Sequence, residues 1–412
     1  MAEIDERIKK LYGSKIRVGI IGCANIARKN IRAIKKSRNS ILIAIASRDI
    51  EKAKIFAKEN DLDEKVVQLY GSYAELLNDK YIQLVYLPLP TCQHFEWAIK
   101  VAEAQKHILI EKPCALNSDD LVTMMNSFQS RGLVFMDGVM FMHNPIIQRL
   151  RSTLSDPFAG TVTRLNSSFS FRGGGAFFEN NIRVKRDGDP LGALGDLGWY
   201  NIRLALIAFL QGHDIDILSS FDTVDWERIT LPRTVKAGVH HMNVDNVPLD
   251  CDGEIIFGKD KLKNKQIFKF DCSFLLPIRQ SYEISLTNDK GYCDKVINGK
   301  YFVLPRCPSE AKFEVESGLA GYGDMATRNL CNVEYISETV YIDQEVEMFN
   351  TLGDIIMDTE SDFEAKRESL KKALYFKRIA LLTQLTVDAC YQSLNNNSNP
   401  VEINYEILNK IA

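Results

Sequence analysis

The sequence has no run of apolar residues that approaches the roughly 20 needed to cross a membrane. Its charges nearly balance, with a formal net charge of −3 at pH 7. A chain without a basic excess offers no electrostatic case for binding nucleic acid or an anionic membrane surface. We therefore predict no nucleic-acid partner and no membrane partner.

Clustered cysteines are also missing, because nine cysteines are scattered along the chain and no C-x-x-C occurs. An odd, dispersed set favours free thiols in a reducing compartment and gives a zinc site little support. The first 14 residues are charged and carry no apolar core, unlike a signal peptide. We expect a cytoplasmic protein without a metal centre.

What the sequence does contain is a strand, a tight turn and a helix between residues 15 and 36. The strand segment is rich in β-branched residues, as in a buried parallel strand. Gly22, Ala24 and Ala27 occupy the small-residue positions of the G-x-G-x-x-G/A fingerprint, although its middle glycine is replaced. Such a turn lets the backbone approach a pyrophosphate at the positive end of the helix. The coenzyme contacts predicted here are Gly22, Ala24, Asn25 and Ile26.

The whole chain predicts an α/β fold with two domains. Six strand-like segments alternate with helical ones up to about residue 155, which is typical of a doubly wound parallel sheet. Later segments alternate with period two and predict a largely antiparallel sheet. We predict an extension over residues 1–14, a Rossmann domain over residues 15–155, and an α+β domain over residues 156–412. This second domain has a large, mainly antiparallel open sheet, and its last helix is a candidate to pack back on the first domain.

The end of the second strand indicates the coenzyme. NAD enzymes usually place a carboxylate there for the ribose 2′-hydroxyl, whereas NADP enzymes place a cation for the 2′-phosphate. Ser47 and Arg48 follow this strand, which favours NADP(H). The alternative is that Arg48 is an ordinary exposed arginine at the start of a helix and that Asp49 takes the ribose.

The loop after the fourth strand contains two prolines, which make it rigid at the carboxyl edge where ligands bind in such sheets. We place Leu87, Pro88 and Leu89 of this loop beside the coenzyme. His94 opens the next helix, where it either faces the coenzyme or caps the helix.

The loop after the fifth strand holds Glu111 and Lys112, both predicted to contact the coenzyme. A lysine at the carboxyl end of a strand can polarise a substrate oxygen and lower the pKa of a neighbour. The alternative is a lysine in a surface turn, which is the commoner situation.

The segment GALGDLGWY, residues 192–200, is the third signal. Asp196 and Tyr200 are four residues apart and share a face on a helix. The glycines allow close approach of the backbone. A tyrosine near a lysine can donate a proton to a carbonyl as hydride arrives. The alternative is an amphipathic helix with Tyr200 packed in the core.

Together these segments resemble the glucose–fructose oxidoreductase, inositol dehydrogenase and rhizopine-catabolism oxidoreductase family. The matching pieces, in order over residues 18–200, are VGIIGCANIA, IASRD, LPLPTCQHFEWAIKVAEAQKHILIEKP and GALGDLGWY. The EKP tripeptide after a fifth strand is the specific piece. GALGDLGWY, IRV and MDGVMFMHNP are similar to the branch that contains dimeric dihydrodiol dehydrogenase and plant oxidoreductases.

The resemblance implies an open sheet in the second domain that often forms the oligomer interface, so we expect a homodimer or higher homo-oligomer. It implies that Lys112 contacts the reacting oxygen and that Asp196 orients the substrate. Tyr200 takes the proton-transfer position, where many members carry histidine, and this departure puts their sugar-alcohol substrates in doubt. The residues expected only to line the pocket are Met140, His143, Arg183 and Trp199.

The sequence thus predicts an NADP(H)-dependent oxidoreductase. Hydride passes between the nicotinamide and a hydroxyl or carbonyl carbon of a small molecule, such as a sugar, a sugar derivative or a cyclic diol. Two alternatives stay open. One is redox-neutral glycoside hydrolysis or elimination with transient use of the coenzyme. The other is a non-catalytic NADP(H) sensor.

Overall fold

Two β-sheets organise the chain, one with six strands and one with nine. They are seen in a computed structural model that describes residues 13–220, 226, 229–259, 265–300, 309–318, 332–358 and 363–411. The predicted extension over residues 1–14 lies outside the described residues except for its last two.

The first sheet is parallel throughout, with the strand order β3-β2-β1-β4-β5-β6. The order changes direction between β1 and β4, which creates a crevice at the carboxyl ends of these strands. The predicted doubly wound sheet is therefore confirmed. Its strands are β1 (Ile16–Ile21), β2 (Ser40–Ala46), β3 (Gln68–Tyr70), β4 (Leu84–Leu87), β5 (His107–Ile110) and β6 (Phe135–Asp137).

Helices on both faces of this sheet start at side-chain caps written into the sequence. Asp49, Ser72, Asn117 and Asn144 each accept a hydrogen bond from a backbone N–H in the first turn of the helix that follows. The helices of this region are α1 (Asn25–Lys36), α2 (Ile50–Glu59), α3 (Tyr73–Asn78), α4 (His94–Glu103), α5 (Ser118–Gln129) and α6 (Pro145–Ser155).

The second sheet has the strand order β14-β13-β12-β11-β7-β10-β9-β8-β15. Only β7 and β10 pair in parallel, and the other described neighbours are antiparallel, as predicted. The strands are β7 (Thr161–Ser170), β8 (Thr234–Met242), β9 (Pro248–Lys259), β10 (Lys265–Ser273), β11 (Arg279–Thr287), β12 (Cys293–Lys300), β13 (Ser309–Ser317), β14 (Asn332–Val340) and β15 (Val401–Glu402).

One face of the second sheet is covered and the other is exposed. The helices of this half are α7 (Gly175–Asn180), α8 (Trp199–Phe209), α9 (Asp214–Leu218), α10 (Gln344–Asp358) and α11 (Phe363–Asn395). Every residue of α8 is buried, because α8 packs against β7, β10 and α11. The opposite face presents exposed charged side chains, such as Lys236, Asp252, Lys269, Glu283 and Lys312. The expected oligomer contact through this sheet stays a prediction.

The C-terminal helices return to the first domain. Asp388 of α11 accepts a hydrogen bond from the Ser118 backbone N–H at 2.7 Å, and Lys377 donates to the Gln129 side chain at 2.7 Å. α10 packs along α1. The first sheet is therefore flanked by helices from both ends of the chain, while the domain boundary at residue 155 stays a prediction.

Candidate active site

The turn after β1 is shaped for close approach of a ligand to the backbone. Gly22 has a φ of +107°, and a Cβ there would lie 2.8 Å from Leu89 Cδ2. Only glycine suits this position. Ala24 is the N-cap of α1 and has no side chain that can accept a hydrogen bond. The first N–H groups of that helix therefore have no side-chain cap from this residue. Beside them, Asn25 is exposed and Ile26 is half-buried. This cradle fits the pyrophosphate of a dinucleotide.

The end of β2 presents a serine and an arginine. Ser47 is buried, Arg48 is exposed, and the Arg48 side chain hydrogen-bonds the Tyr73 side chain. The Asp49 carboxylate accepts a hydrogen bond from the Glu51 backbone N–H at 2.9 Å, as the cap of α2. Asp49 is thus engaged by its own helix, and the Arg48 side chain beside it is exposed.

The loop after β4 supports the phosphate turn. Leu87 is fully buried, Pro88 is buried, and Leu89 packs over Gly22. His94, at the start of α4, is 1% exposed, and Gln93 rather than His94 occupies the N-cap position. The predicted contacts of these residues with a coenzyme stay predictions.

A buried ion cluster joins the loop after β5 to the second domain. Lys112 Nζ donates to the Asp196 carboxylate at 2.5 Å and to the Asp196 backbone oxygen at 2.7 Å. Arg183 Nε donates to the same carboxylate oxygen at 2.9 Å. The Lys112 and Asp196 side chains are only 7% and 9% exposed, so each charge depends on its partner. Burial raises the pKa of Asp196, but Arg183 and Lys112 outweigh burial and hold that pKa well below its usual range.

Tyr200 lies against the same lysine. Lys112 Nζ is 4.8 Å from the centroid of the Tyr200 ring, a cation–π contact. The ring packs between Phe141 and Phe169, with centroid distances of 5.7 and 5.2 Å. Burial raises the pKa of the Tyr200 hydroxyl well above its ordinary value, and nearby carboxylates, Glu111 first, raise it further. The hydroxyl therefore keeps its proton at neutral pH.

An unusual turn brings Asp196 and Tyr200 to the lysine. Residues Leu194–Gly198 form a π-helical turn that runs directly into α8. Such turns are frequent at functional sites. A Cβ on Gly195 would lie 2.9 Å from Pro113 Cγ, so the glycine lets the turn sit on the loop that carries Lys112. The shared face predicted for one α-helix is thus formed by a π turn followed by an α turn.

Sequence reasoning missed a buried polar chain that ends at Glu111. Asn30 donates to the Tyr86 hydroxyl at 2.5 Å, and that hydroxyl donates to the Glu111 carboxylate at 2.6 Å. Burial raises the pKa of Glu111, against the effect of the Tyr86 hydrogen bond. The sequence did contain a sign of these polar contacts, because Asn30 interrupts the apolar stripe of α1 and Tyr86 lies within a buried strand.

A second missed contact ties α1 to α10. Lys29 forms an ion pair with the buried Glu345 carboxylate and donates to Met140 Sδ at 3.3 Å. The charge of Glu345 also raises the pKa of Tyr200. Met140, a predicted pocket residue, thus contacts Lys29, whose ion-pair partner Glu345 also acts on Tyr200.

The other predicted pocket residues lie at different sites in the structure. Arg183 joins the ion cluster, whereas the His143 ring stacks on Phe376 at 5.5 Å. His143 lines a cavity of about 630 Å³, whose lining does not include Lys112 or Tyr200. Burial lowers the pKa of His143 to about 3, which keeps its ring neutral. His143 therefore faces a different cavity from the ion cluster.

Trp199 is turned away from its neighbour Tyr200. Its ring is fully buried and lies 5.9 Å from the Arg203 guanidinium, which forms a buried ion pair with Asp137 at 2.6 Å. Trp199 and Arg203 thus belong to the contact between α8 and the end of β6.

Comparison with known proteins identifies the class of the first domain. Residues 16–139 match the family described as "Oxidoreductase family, NAD-binding Rossmann fold". Residues 16–139 therefore belong to that class. For this part of the chain, the resemblance to the glucose–fructose oxidoreductase, inositol dehydrogenase and rhizopine-catabolism oxidoreductase family is confirmed.

Two curated relatives show how far the similarity extends. An uncharacterized oxidoreductase of Rhizobium meliloti is 34% identical over 199 residues, 47% of this chain and 56% of the relative. Trans-1,2-dihydrobenzene-1,2-diol dehydrogenase of Macaca fuscata fuscata is 29% identical over 306 residues, 70% of this chain and 80% of the relative. The chain thus spans little more than half the length of the first relative.

A solved structure shares the fold across both domains. KijD10, a 3-ketoreductase from Actinomadura kijaniata in complex with NADP and TDP-benzene, superposes with a TM-score of 0.71. The match covers 92% of this chain and 98% of the other at 21% identity. At this identity the likeness concerns the fold.

Within the part of the chain that the structure describes, no helix combines the length and the apolar character needed to cross a bilayer. Nor do three His, Cys, Asp or Glu side chains there come together in a way that would hold a metal ion.

Proposed function

We propose that this protein is an NADP(H)-dependent oxidoreductase. It transfers hydride between the nicotinamide and a hydroxyl or carbonyl carbon of a sugar, a sugar derivative or a cyclic diol. The observation that carries the proposal is the contact of Lys112 with both Asp196 and Tyr200 at the carboxyl edge of the first sheet. A protein that only senses a nucleotide has no need of this acid–base group from its second domain.

The residues of the first domain would hold the coenzyme. Gly22 and the start of α1 fit its pyrophosphate, and Ser47 with Arg48 fits a 2′-phosphate. The engagement of Asp49 as a helix cap supports a phosphorylated coenzyme, because it weakens the alternative in which Asp49 binds the ribose. KijD10, the ketoreductase that shares this fold, was solved in complex with NADP.

A nicotinamide coenzyme supplies or accepts the hydride. In the reducing direction, Tyr200 donates its hydroxyl proton to the substrate oxygen, so that the carbonyl becomes a hydroxyl and the phenol becomes a phenolate. Its raised pKa means that the hydroxyl carries its proton in the resting site, so the proton is present when the substrate oxygen gains charge. Lys112, 4.8 Å from the ring centroid, stabilises the phenolate until water returns the proton.

Asp196 and Arg183 orient the lysine. The Asp196 carboxylate accepts from both cations, which fixes the Lys112 ammonium beside Tyr200 in a site with little water. Arg183 is about one third exposed, so it can also reach a substrate oxygen. These donors suit a molecule with several hydroxyl or carbonyl oxygens.

The substrate class is supported by the relatives. One is named for a cyclic dihydrodiol, and the fold relative is a 3-ketoreductase bound to TDP-benzene. Both names describe oxygen substituents on a ring. We therefore place the substrate of this protein among sugars, sugar derivatives and cyclic diols.

A fluorescence screen tests the proposal. NADPH oxidation and NADP⁺ reduction are followed with ketoses, aldoses, sugar nucleotides and cyclic diols, with the Tyr200→Phe variant as the control. Turnover by the wild type and its loss in the variant are expected. Glycoside cleavage without net NADPH consumption would replace this proposal with redox-neutral chemistry. Tight NADPH binding without transfer to any compound would favour a sensor.

A further inference from the structure

The ring of His94 bridges two loops of the first domain. His94 Nε2 lies 2.9 Å from the backbone oxygen of Leu89, and Nδ1 lies 3.1 Å from that of Cys114. A carbonyl oxygen only accepts hydrogen bonds, whereas a neutral imidazole carries a single N–H. A neutral ring would therefore leave one carbonyl facing a nitrogen lone pair. The imidazolium form donates to both oxygens.

A buried carboxylate is placed to balance this charge. Asp189 is 7% exposed, accepts a hydrogen bond from the Thr91 hydroxyl, and interacts electrostatically with His94. The other charged groups that act on Asp189 are Arg183 and Asp196. A buried charge requires hydrogen bonds or an opposite charge nearby. The ring nitrogens of His94 face two carbonyl acceptors, and Asp189 acts on the ring electrostatically.

The two bridged loops are those predicted to contact the coenzyme. Leu89 packs directly over Gly22 of the phosphate turn. Cys114 lies two residues after Lys112 and has a buried thiol, whose pKa burial raises well above its ordinary value. The thiol therefore stays neutral and does not compete for the charge of His94.

We propose that His94 is a buried imidazolium, balanced by Asp189, that ties the Leu89 loop to the Lys112 loop and so acts as a positioning residue. Its donation to both carbonyls fixes the distance between the phosphate turn and the lysine. Burial has the largest effect on the pKa of His94 and lowers it, against the raising effects of Asp189 and the backbone carbonyls. The geometry favours the doubly protonated ring, because a carbonyl acceptor faces each of its two nitrogens. The positioning role rests on the proposed function, whereas the protonation state does not.

His107 provides a matched control within the same molecule. His107 is half-buried, and its Nδ1 accepts a hydrogen bond from the Val134 backbone N–H at 2.9 Å. That nitrogen must be unprotonated, and burial lowers the pKa of His107 to about 4. The two histidines therefore differ in what faces their ring nitrogens as well as in exposure.

Nitrogen NMR of the histidine-labelled protein tests the proposal. The chain has only six histidines, so His94 is assigned by comparison with a His94→Asn variant. If that variant does not fold, one-bond and through-hydrogen-bond couplings assign the wild type. We expect two ring protons on His94 and one on His107 at pH 7. A single proton on His94 would overturn the proposal.

The Asp189→Asn variant tests the counter-charge and the positioning role together. The proton affinity of His94 should fall at least tenfold, so that the ring loses its second proton at a lower pH than in the wild type. The NADPH dissociation constant should rise about tenfold. The surface variant His213→Asn should change neither, because His213 is half exposed. An unchanged His94 titration and unchanged NADPH binding in Asp189→Asn would overturn the positioning role. A doubly protonated His94 in a protein that transfers no hydride would contradict the proposed function alone.

Discussion

Lys112 and Asp196 form a buried ion pair at 2.5 Å across the two domains. Lys112 follows β5 of the first sheet, and Asp196 lies in the π turn that begins α8. Neither side chain is more than a tenth exposed, so the pair holds the two domains together where the proposed chemistry takes place. The Lys112–Asp196 ion pair thus contributes both to the stability of the fold and to the geometry of the site.

Asp196→Asn is expected to reduce the free energy of unfolding by about 3–5 kcal/mol at pH 7, because it leaves the buried Lys112 ammonium and the partly exposed Arg183 guanidinium without their carboxylate. The pKa of Asp196 is lower in the folded state than in the unfolded one. Its contribution is therefore present above about pH 4, the range of the unfolded carboxyl, and is lost as the pH falls toward the folded pKa. Urea unfolding of wild type and variant at pH 7 and at about pH 3 measures this.

The control for that variant is Glu59→Gln, which breaks an exposed ion pair with Arg28. Exposed pairs contribute about 0–1 kcal/mol, so this variant should stay close to the wild type. An equal loss of stability in Asp196→Asn at both pH values would contradict the assignment of a depressed pKa.

Tyr200→Phe should lower kcat by about 10²-fold or more, because it removes the proton donor and keeps the ring. The Phe141 and Phe169 contacts of the ring are preserved, so the fold and the NADPH affinity should be unchanged. Steady-state kinetics together with NADPH fluorescence titration measure both quantities. Full turnover by the variant would remove Tyr200 from the mechanism.

Lys112→Ala should also lower kcat by about 10²-fold or more while NADPH still binds. The loss has two causes: the phenolate of Tyr200 is no longer stabilised, and Asp196 loses one of its two partners. Single-turnover kinetics at saturating NADPH separates this effect from weaker substrate binding. Retention of the wild-type single-turnover rate would show that the lysine is only structural.

Gly22→Ala should weaken NADPH binding at least tenfold with little effect on the rest of the fold. A Cβ at Gly22 would meet Leu89 at 2.8 Å, and the φ of +107° is unfavourable for alanine. Gly132→Ala is the matched control, because Gly132 also has a positive φ but has open space around it. Isothermal titration of both variants with NADPH measures the difference. Equal losses of affinity would contradict the placement of the coenzyme turn.

Arg48→Ala should reduce the preference for NADPH over NADH by at least tenfold, because it removes the cation proposed for the 2′-phosphate. The control is Lys54→Ala, which removes an exposed lysine of α2 paired with Glu51. Comparison of kcat/KM for the two coenzymes measures the preference. A wild-type preference in Arg48→Ala would return Asp49 to consideration as the ribose ligand.

The sequence predicted those parts of the fold that depend on local pattern. β1 runs from Ile16 to Ile21 as the β-branched run indicates. The parallel pairing of β7 with β10 was not predictable, since β7 ends at Ser170, β10 begins only at Lys265, and period-two alternation does not specify a partner. The helix α6 was missed although Asn144 and Pro145 are a recognisable helix start.

The site was predictable only in part. Lys112, Asp196 and Tyr200 came together as the family resemblance implied. Trp199 did not join them, because adjacent residues on a helix point about 100° apart. The pairing of Lys29 with Glu345 joins opposite ends of the chain, and no local pattern encodes such a contact.

Transfer of deuterium from NADPH that carries deuterium at both C4 positions of its dihydronicotinamide ring tests the central claim most directly. The labelled coenzyme is mixed with a substrate found in the screen, and the product is analysed by mass spectrometry. The account predicts one deuterium on the carbon that bears the new hydroxyl, and transfer slower by about 10²-fold or more in the Tyr200→Phe variant. A product formed without deuterium, while the label remains on the coenzyme, would contradict it.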